Sequence, residues 1–110
     1  MAIQSYNMTA SEVKNLGSSR EGVVSSWVLG ISGTFVGSMI LRKRLRGGSV
    51  ALASAGACWY TNVLTNTAVA AGTAITAAGV YVVQADGCDI GLDFTYTSGS
   101  LVLEVDPIIG

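Results

Sequence analysis

From Leu92 to Thr97 apolar and polar residues alternate one for one, with Leu92, Phe94 and Tyr96 set against Asp93, Thr95 and Thr97. The alternation resumes after Ser98-Gly99, where Leu101, Leu103 and Val105 are separated by Val102 and Glu104. A period of two built from aromatic and β-branched residues marks half-buried antiparallel strands. The same period runs through Trp27, Leu29 and Ile31. It continues with Phe35, Gly37, Met39 and Leu41 on one face, and Val36, Ser38, Ile40, Arg42 and Arg44 on the other. The pattern predicts strands at 26–31, 34–45, 57–64, 67–70, 73–76, 79–85, 89–97 and 100–105. Ser32-Gly33, Gly47-Gly48, Ala71-Gly72, Ala78-Gly79, Asp86-Gly87 and Ser98-Gly99 are the expected turns. Closely spaced short strands of this kind specify an all-β fold, an antiparallel β-sandwich or small barrel, over residues 25–106.

The two ends of the chain read differently. Residues 1–24 are polar, show no sustained period and carry Glu12, Lys14, Arg20 and Glu21. With Thr9 as cap, Glu12 three residues on and Gly17 as stop, the segment could hold a turn or two of helix. It has too little apolar surface to order itself. The expectation is an extended N-terminal arm that packs on a neighbouring subunit through Tyr6, Met8, Val13 and Leu16. Pro107-Ile108-Ile109-Gly110 reads as an apolar C-terminal tail, with Ile108 and Ile109 docked on this subunit or a neighbour. Ile40 beside Arg42 and Arg44 makes a further amphipathic face suited to a subunit contact.

One alternative architecture has to be weighed. Gly22 to Leu41 is free of charge, ends at Arg42-Lys43-Arg44 and contains Gly33 and Gly37 at a helix-packing spacing. Taken alone it resembles a membrane helix with a positive flank, as in a small two-span protein of holin type. The run is diluted by glycine and serine, however, and its apolar residues follow the strand period. The second uncharged stretch, Ser49 to Ala85, has Thr61, Asn62, Thr65, Asn66 and Thr67 at its centre. The sandwich is therefore the reading adopted, with no membrane partner.

Composition points away from chemistry and toward contact. The chain has 110 residues, of which 50% are hydrophobic and only 12% charged, against about 25% for an ordinary soluble domain. A surface so poor in charge calls for cover by other subunits or a larger assembly. Net charge is -1, which gives no expectation of nucleic-acid binding. There is no histidine, so His-dependent catalysis and most zinc patterns are excluded. Serines have no Ser-x-x-Lys base, and Gly47-Gly48 is not followed by the Lys of a phosphate loop. Asp86, Asp89 and Asp93 do not converge as calcium requires, since Asp89 and Asp93 stand four apart on one strand, and the three read as turn and strand-edge carboxylates. Cys58 and Cys88 are expected to be free thiols. No catalytic, cofactor or metal residue is assigned.

Three segments carry a resemblance. Gly33-Thr-Phe-Val-Gly-Ser-Met-Ile-Leu-Arg-Lys-Arg-Leu-Arg-Gly-Gly48, Gly79-Val-Tyr-Val-Val-Gln-Ala-Asp-Gly-Cys-Asp-Ile90 and Tyr96-Thr-Ser-Gly-Ser-Leu-Val-Leu103 resemble successive hairpins of small β-sandwich virion proteins of tailed bacteriophages. The resemblance implies a capsid decoration (cement) or head-fibre subunit. It implies a place on the phage head surface after synthesis in the host cytoplasm, and a role without enzymatic activity. Expected partners are other copies of the chain, a trimer being favoured, and the major capsid protein. Each contact would cover about 800 Å² per partner. The competing class is a receptor- or carbohydrate-binding virion module, which requires two or more aromatics exposed on one face. Trp59 and Tyr60 are adjacent, so only one of them can line a given site.

Overall fold

A computed structural model of the chain describes residues 4–18 and 24–109. Within these the strands are β1 (Gln4–Met8), β2 (Glu12–Ser18), β3 (Val24–Ser32), β4 (Phe35–Leu45), β5 (Gly56–Ala57), β6 (Tyr60–Asn62), β7 (Thr67–Val69), β8 (Gly79–Gln84), β9 (Cys88–Gly99) and β10 (Leu101–Ile109). They form two antiparallel sheets, a six-stranded one ordered β1-β10-β3-β8-β6-β7 and a four-stranded one ordered β2-β9-β4-β5. The fold is the all-β sandwich that the alternation predicts. One 3-10 turn, Leu52–Ser54, is the single helical element among the described residues.

Three stretches of chain bend from one sheet into the other. β1 runs into β2, β3 into β4, and β9 into β10. β10 pairs with β1 and β3, while β9 pairs with β2 and β4, so the three bends lie side by side. The corner is closed by Gly33 and Gly99, at φ 100° and 83°. A Cβ on Gly33 would sit 2.5 Å from the Ser100 carbonyl oxygen, and one on Gly99 only 2.2 Å from that of Thr34. Neither site can hold a side chain, because backbone fills the space and the left-handed φ favours glycine. The Ser100 N–H donates to the Thr34 oxygen at 2.9 Å, and the Tyr96 N–H donates to Ser11 Oγ at 2.8 Å.

The core follows from the strand period. Leu29, Val83, Leu101 and Leu103 from the larger sheet meet Met39, Leu41, Ile90, Leu92 and Phe94 from the smaller, each at most 1% exposed. Burial of such side chains stabilises by about 1.5–3 kcal/mol each. Phe94 makes edge-to-face contacts with Phe35 and Tyr96 at centroid distances of 6.3 and 6.2 Å. Tyr60 and Tyr81 meet in the same manner at 5.7 Å.

The structure corrects the expected domain limits. Residues 4–8 and 12–18 are not an arm laid on a neighbour but edge strands of this chain's own two sheets. The short polar segment orders because β9 and β10 offer it ready-made backbone partners. Leu16, on the same phase as Lys14 and at a β-bulge between Asn15 and Gly17, joins the core. Met8 is fully buried and Leu16 is 7% exposed, so both anchors are spent within their own subunit. Pro107 does not end the domain either: β10 runs through it to Ile109. There Pro107 stands opposite Trp27 of β3. The strand expected at 57–64 divides between the sheets as β5 and β6, and that at 73–76 shrinks to a bridge between Ile75 and Met39. The charge-free run expected to span a membrane in the alternative reading is instead β3 and β4. No helix among the described residues is long and apolar enough to cross a bilayer. Residues 1–3, 19–23 and 110 of the predicted arm and tail lie outside the described residues.

Because β1 and β2 belong to the sandwich, the N-terminal segment should be indispensable for folding. Met8→Ala is expected to cost about 2–5 kcal/mol, read as a lower urea midpoint. Removal of residues 2–18 should abolish cooperative unfolding. A truncated chain that melts like the full one would contradict this placement.

Candidate assembly surfaces

On the outer face of the four-stranded sheet the register sets Arg44 opposite Asp89, and Arg42 diagonally across from Asp93. Arg44 Nε donates to Asp89 Oδ2 at 3.0 Å, and Arg42 Nε donates to Asp93 Oδ2 at the same distance. Each arginine has a second task. Arg42 Nη1 donates to the Ala55 carbonyl at 2.8 Å, and Arg44 Nη1 to that of Val50 at 2.9 Å. The two guanidinium groups thereby hold the 46–55 segment over the sheet. Gly91 lies between the two aspartates on the strand, and a Cβ there would press within 3.1–3.2 Å of Leu52. Its bare backbone lets the 3-10 turn settle on the sheet with Leu52 buried. Lys43 points the other way and pairs with Asp86 at 2.6 Å.

At this end of the sandwich sit two free thiols, Cys58 buried and Cys88 half-buried. Burial pushes the Cys58 thiol above its ordinary value of 9.0; Lys43 pulls it down, and Cys88 and Asp86 push it up by smaller amounts. Burial also raises the Tyr60 and Tyr81 phenols above 10.0, Tyr81 adding to the effect on Tyr60. Their hydroxyls donate to the carbonyls of Thr73 and Ala77, both at 3.1 Å. These groups are held neutral in the core. Among the described residues no group of three or more His, Cys, Asp or Glu is placed to hold a metal ion.

The outer face of the six-stranded sheet is built differently. In the registers of β10, β3 and β8, Glu104, Gly30 and Val80 lie side by side. Gly30 leaves a depression of about 220 Å³, lined by Val28, Gly30, Val80, Glu104 and Asp106. A Cβ at Gly30 would touch nothing nearer than Glu104 Cβ at 3.7 Å, so the hollow is the space of a missing side chain. One wall is apolar and the other acidic. Glu104 and Asp106 have no ion-pair partner among the described residues. Every described basic residue, Lys14, Arg42, Lys43, Arg44 and Arg46, lies on or beside the smaller sheet.

The residues expected at subunit contacts are thus scattered. Met8 and Leu16 are core. Arg42 and Arg44 are half-buried and bind their own chain, because the ladder brings Asp93 and Asp89 beside them. Ile40 is half-buried on the same face. Tyr6 donates to Gln4 Oε1 and lies under Lys14 Nζ, which is 4.2 Å from the ring centroid, closing the edge between the two sheets. Val13 at 36% and Ile108 at 37% remain exposed. Ile109 lies in β10. Gly30, Glu104 and Asp106 escaped the sequence reading, although Val102, Glu104 and Asp106 form the outward phase of a strand whose inward phase was recognised. Leu45 at 79% and Leu64 at 71% are further exposed apolar side chains.

Two expectations follow from this geometry. Asp89→Ala, which strands Arg44 over a 4% exposed site, should cost about 3–5 kcal/mol. Asp86→Ala, at a 62% exposed carboxylate, should cost less than about 1 kcal/mol; equal losses in urea titrations would refute the distinction. Alkaline stability is the second. The native state keeps protons on Cys58, Tyr60 and Tyr81 that the unfolded chain releases at lower pH, so stability is whole below pH 9.0 and is lost as pH rises through the raised native values. Urea midpoints measured from neutral pH upward should fall only on the alkaline side, and less so in a Cys58→Ala variant at the onset.

Comparison with known proteins gives one likeness of fold. No family model matches the chain, and no curated protein matches it by sequence. The crystal structure of the SPBc2 prophage-derived protein YomS is similar to it with a TM-score of 0.64 at 11% identity, over 100% of this chain and 96% of that one. At that identity the likeness concerns the sandwich itself.

Proposed function

We propose that the chain is a non-enzymatic structural protein of a bacteriophage particle, and that it serves as a decoration (cement) subunit bridging neighbours on the head. The observation that carries this reading is the end-to-end likeness to a prophage-derived protein, in which both edge strands and the whole of β10 are included. The three hairpin segments that resemble small virion sandwiches lie in β4, in β8 with the start of β9, and across the β9–β10 corner. The chemistry of the surface suits the role. Its polar groups are spent on holding its own loops, and what it offers to partners is apolar area with a little unbalanced charge. Shell stabilisation by such a subunit works through area buried against its neighbours, for which about 800 Å² per partner is the usual scale. The partners in this reading are further copies of the chain and the major capsid protein, with no nucleic acid or membrane.

A receptor- or carbohydrate-binding module is less well supported. Of the eight aromatics, Trp59 at 45% is the one that stands exposed, while Tyr60 is 3% exposed. A sugar platform built by stacking needs a second exposed ring on the same face.

Particles of the phage that encodes the chain, purified on a density gradient, should contain it in simple ratio to the major capsid protein by mass spectrometry. Immunogold labelling should place it on the head. Absence from purified particles overturns the structural reading, and label confined to the tail overturns the decoration role.

A further inference from the structure

We propose that the depression over Gly30 on the six-stranded sheet is the docking site for the 45–50 turn of a second copy of this chain, in a head-to-tail contact. The two surfaces are complementary in shape and in charge. The depression is concave, apolar along Val28 and Val80, and acidic along Glu104 and Asp106. The turn that follows β4 is convex and apolar-basic: Leu45 is 79% exposed, Val50 is 52% exposed, and Arg46 between them is exposed. Gly47, at φ 71°, makes the turn narrow.

Charge decides the occupant. The carboxylates of the depression are without ion-pair partners among the described residues, while the described basic residues are gathered on the opposite sheet and its loops. A copy presenting its β4 turn brings a guanidinium to Glu104 and Asp106 and sets Leu45 against Val28 and Val80. Two copies cannot satisfy each other symmetrically through this contact, because the patch on one differs from the patch on the other. A heterologous contact closes into a ring when its rotation permits and otherwise continues as a filament. The inference deepens the proposal above by naming the contact between copies. It rests on that reading only for its setting, and its test uses the isolated chain, so the two fail separately.

The test is sedimentation of the full chain across the micromolar to hundred-micromolar range. The expected result is a mass above monomer that rises with concentration and falls with added salt. The Glu104→Lys, Asp106→Lys double variant and the Arg46→Glu variant should each weaken association about tenfold or more. Mixing the two charge-reversed variants should restore it, since each supplies the surface the other lacks. Gly30→Val provides a variant independent of charge: its Cβ would meet nothing nearer than Glu104 Cβ at 3.7 Å and its methyl groups would occupy the hollow, so the melting temperature should hold while association is lost. A chain that stays monomeric throughout overturns the proposal. So does an oligomer that the charge reversals and Gly30→Val, all verified as folded by their melting, leave unchanged.

Discussion

Gly33 and Gly99 press against each other's strands at the one place where three bent segments of chain pass between the sheets. Each faces a carbonyl oxygen at a distance no Cβ tolerates. Much of the smaller sheet takes its position from that corner. The bend starts the β4–β9 ladder with Phe35 opposite Gly99 and Val36 opposite Ser98, and a β-bulge between Val36 and Gly37 then slips it by one residue. Corner and slip together set Arg44 opposite Asp89; the corner alone would set it opposite Ile90. Sheets joined at such a corner keep a continuous backbone ladder along the bend, which is how packed sheets turn a corner without leaving polar groups in the core.

The two outer faces solve the problem of low charge in opposite ways. The four-stranded sheet turns inward: its arginines reach aspartates one strand away and loop carbonyls above, and the 46–55 segment becomes a lid of the molecule itself. The six-stranded sheet is left open, with valines and a glycine hollow beside two carboxylates that have no ion-pair partner among the described residues. Among the described residues four acidic groups are paired internally while this pair lies on an apolar floor, and the molecule has a sidedness. That sidedness, and not any single residue, is what the proposed assembly role draws on.

Much of the fold was legible because the strand period is local. Leu92, Phe94 and Tyr96, or Leu101, Leu103 and Val105, announce their inward face without reference to any other segment. Residues 4–18 were misread for the converse reason. Their order comes from β9 and β10, at the far end of the chain, and nothing in their own pattern states it; Lys14 on the core-side phase of β2 even disguises the period, because its charge is met by the Tyr6 ring across the sheet edge. The partners of Arg42 and Arg44 were equally hidden, since pairing depends on register between distant strands. Gly30 showed nothing unusual within a glycine-diluted run. Its meaning appears only when Val80 and Glu104 flank it.

The placement of β1 and β2 has a temporal side. Both are made before the rest of the sandwich, and their hydrogen-bonding partners, β10 and β9, are made after it. Until then two edge strands and much of the sheet between them are without their neighbours. Long-range pairing of this kind is slow, and it exposes strand edges while it waits. The sandwich can therefore close only once β9 and β10 have been made. The polar character that made the N-terminal segment look like a loose arm is what keeps it soluble through that delay.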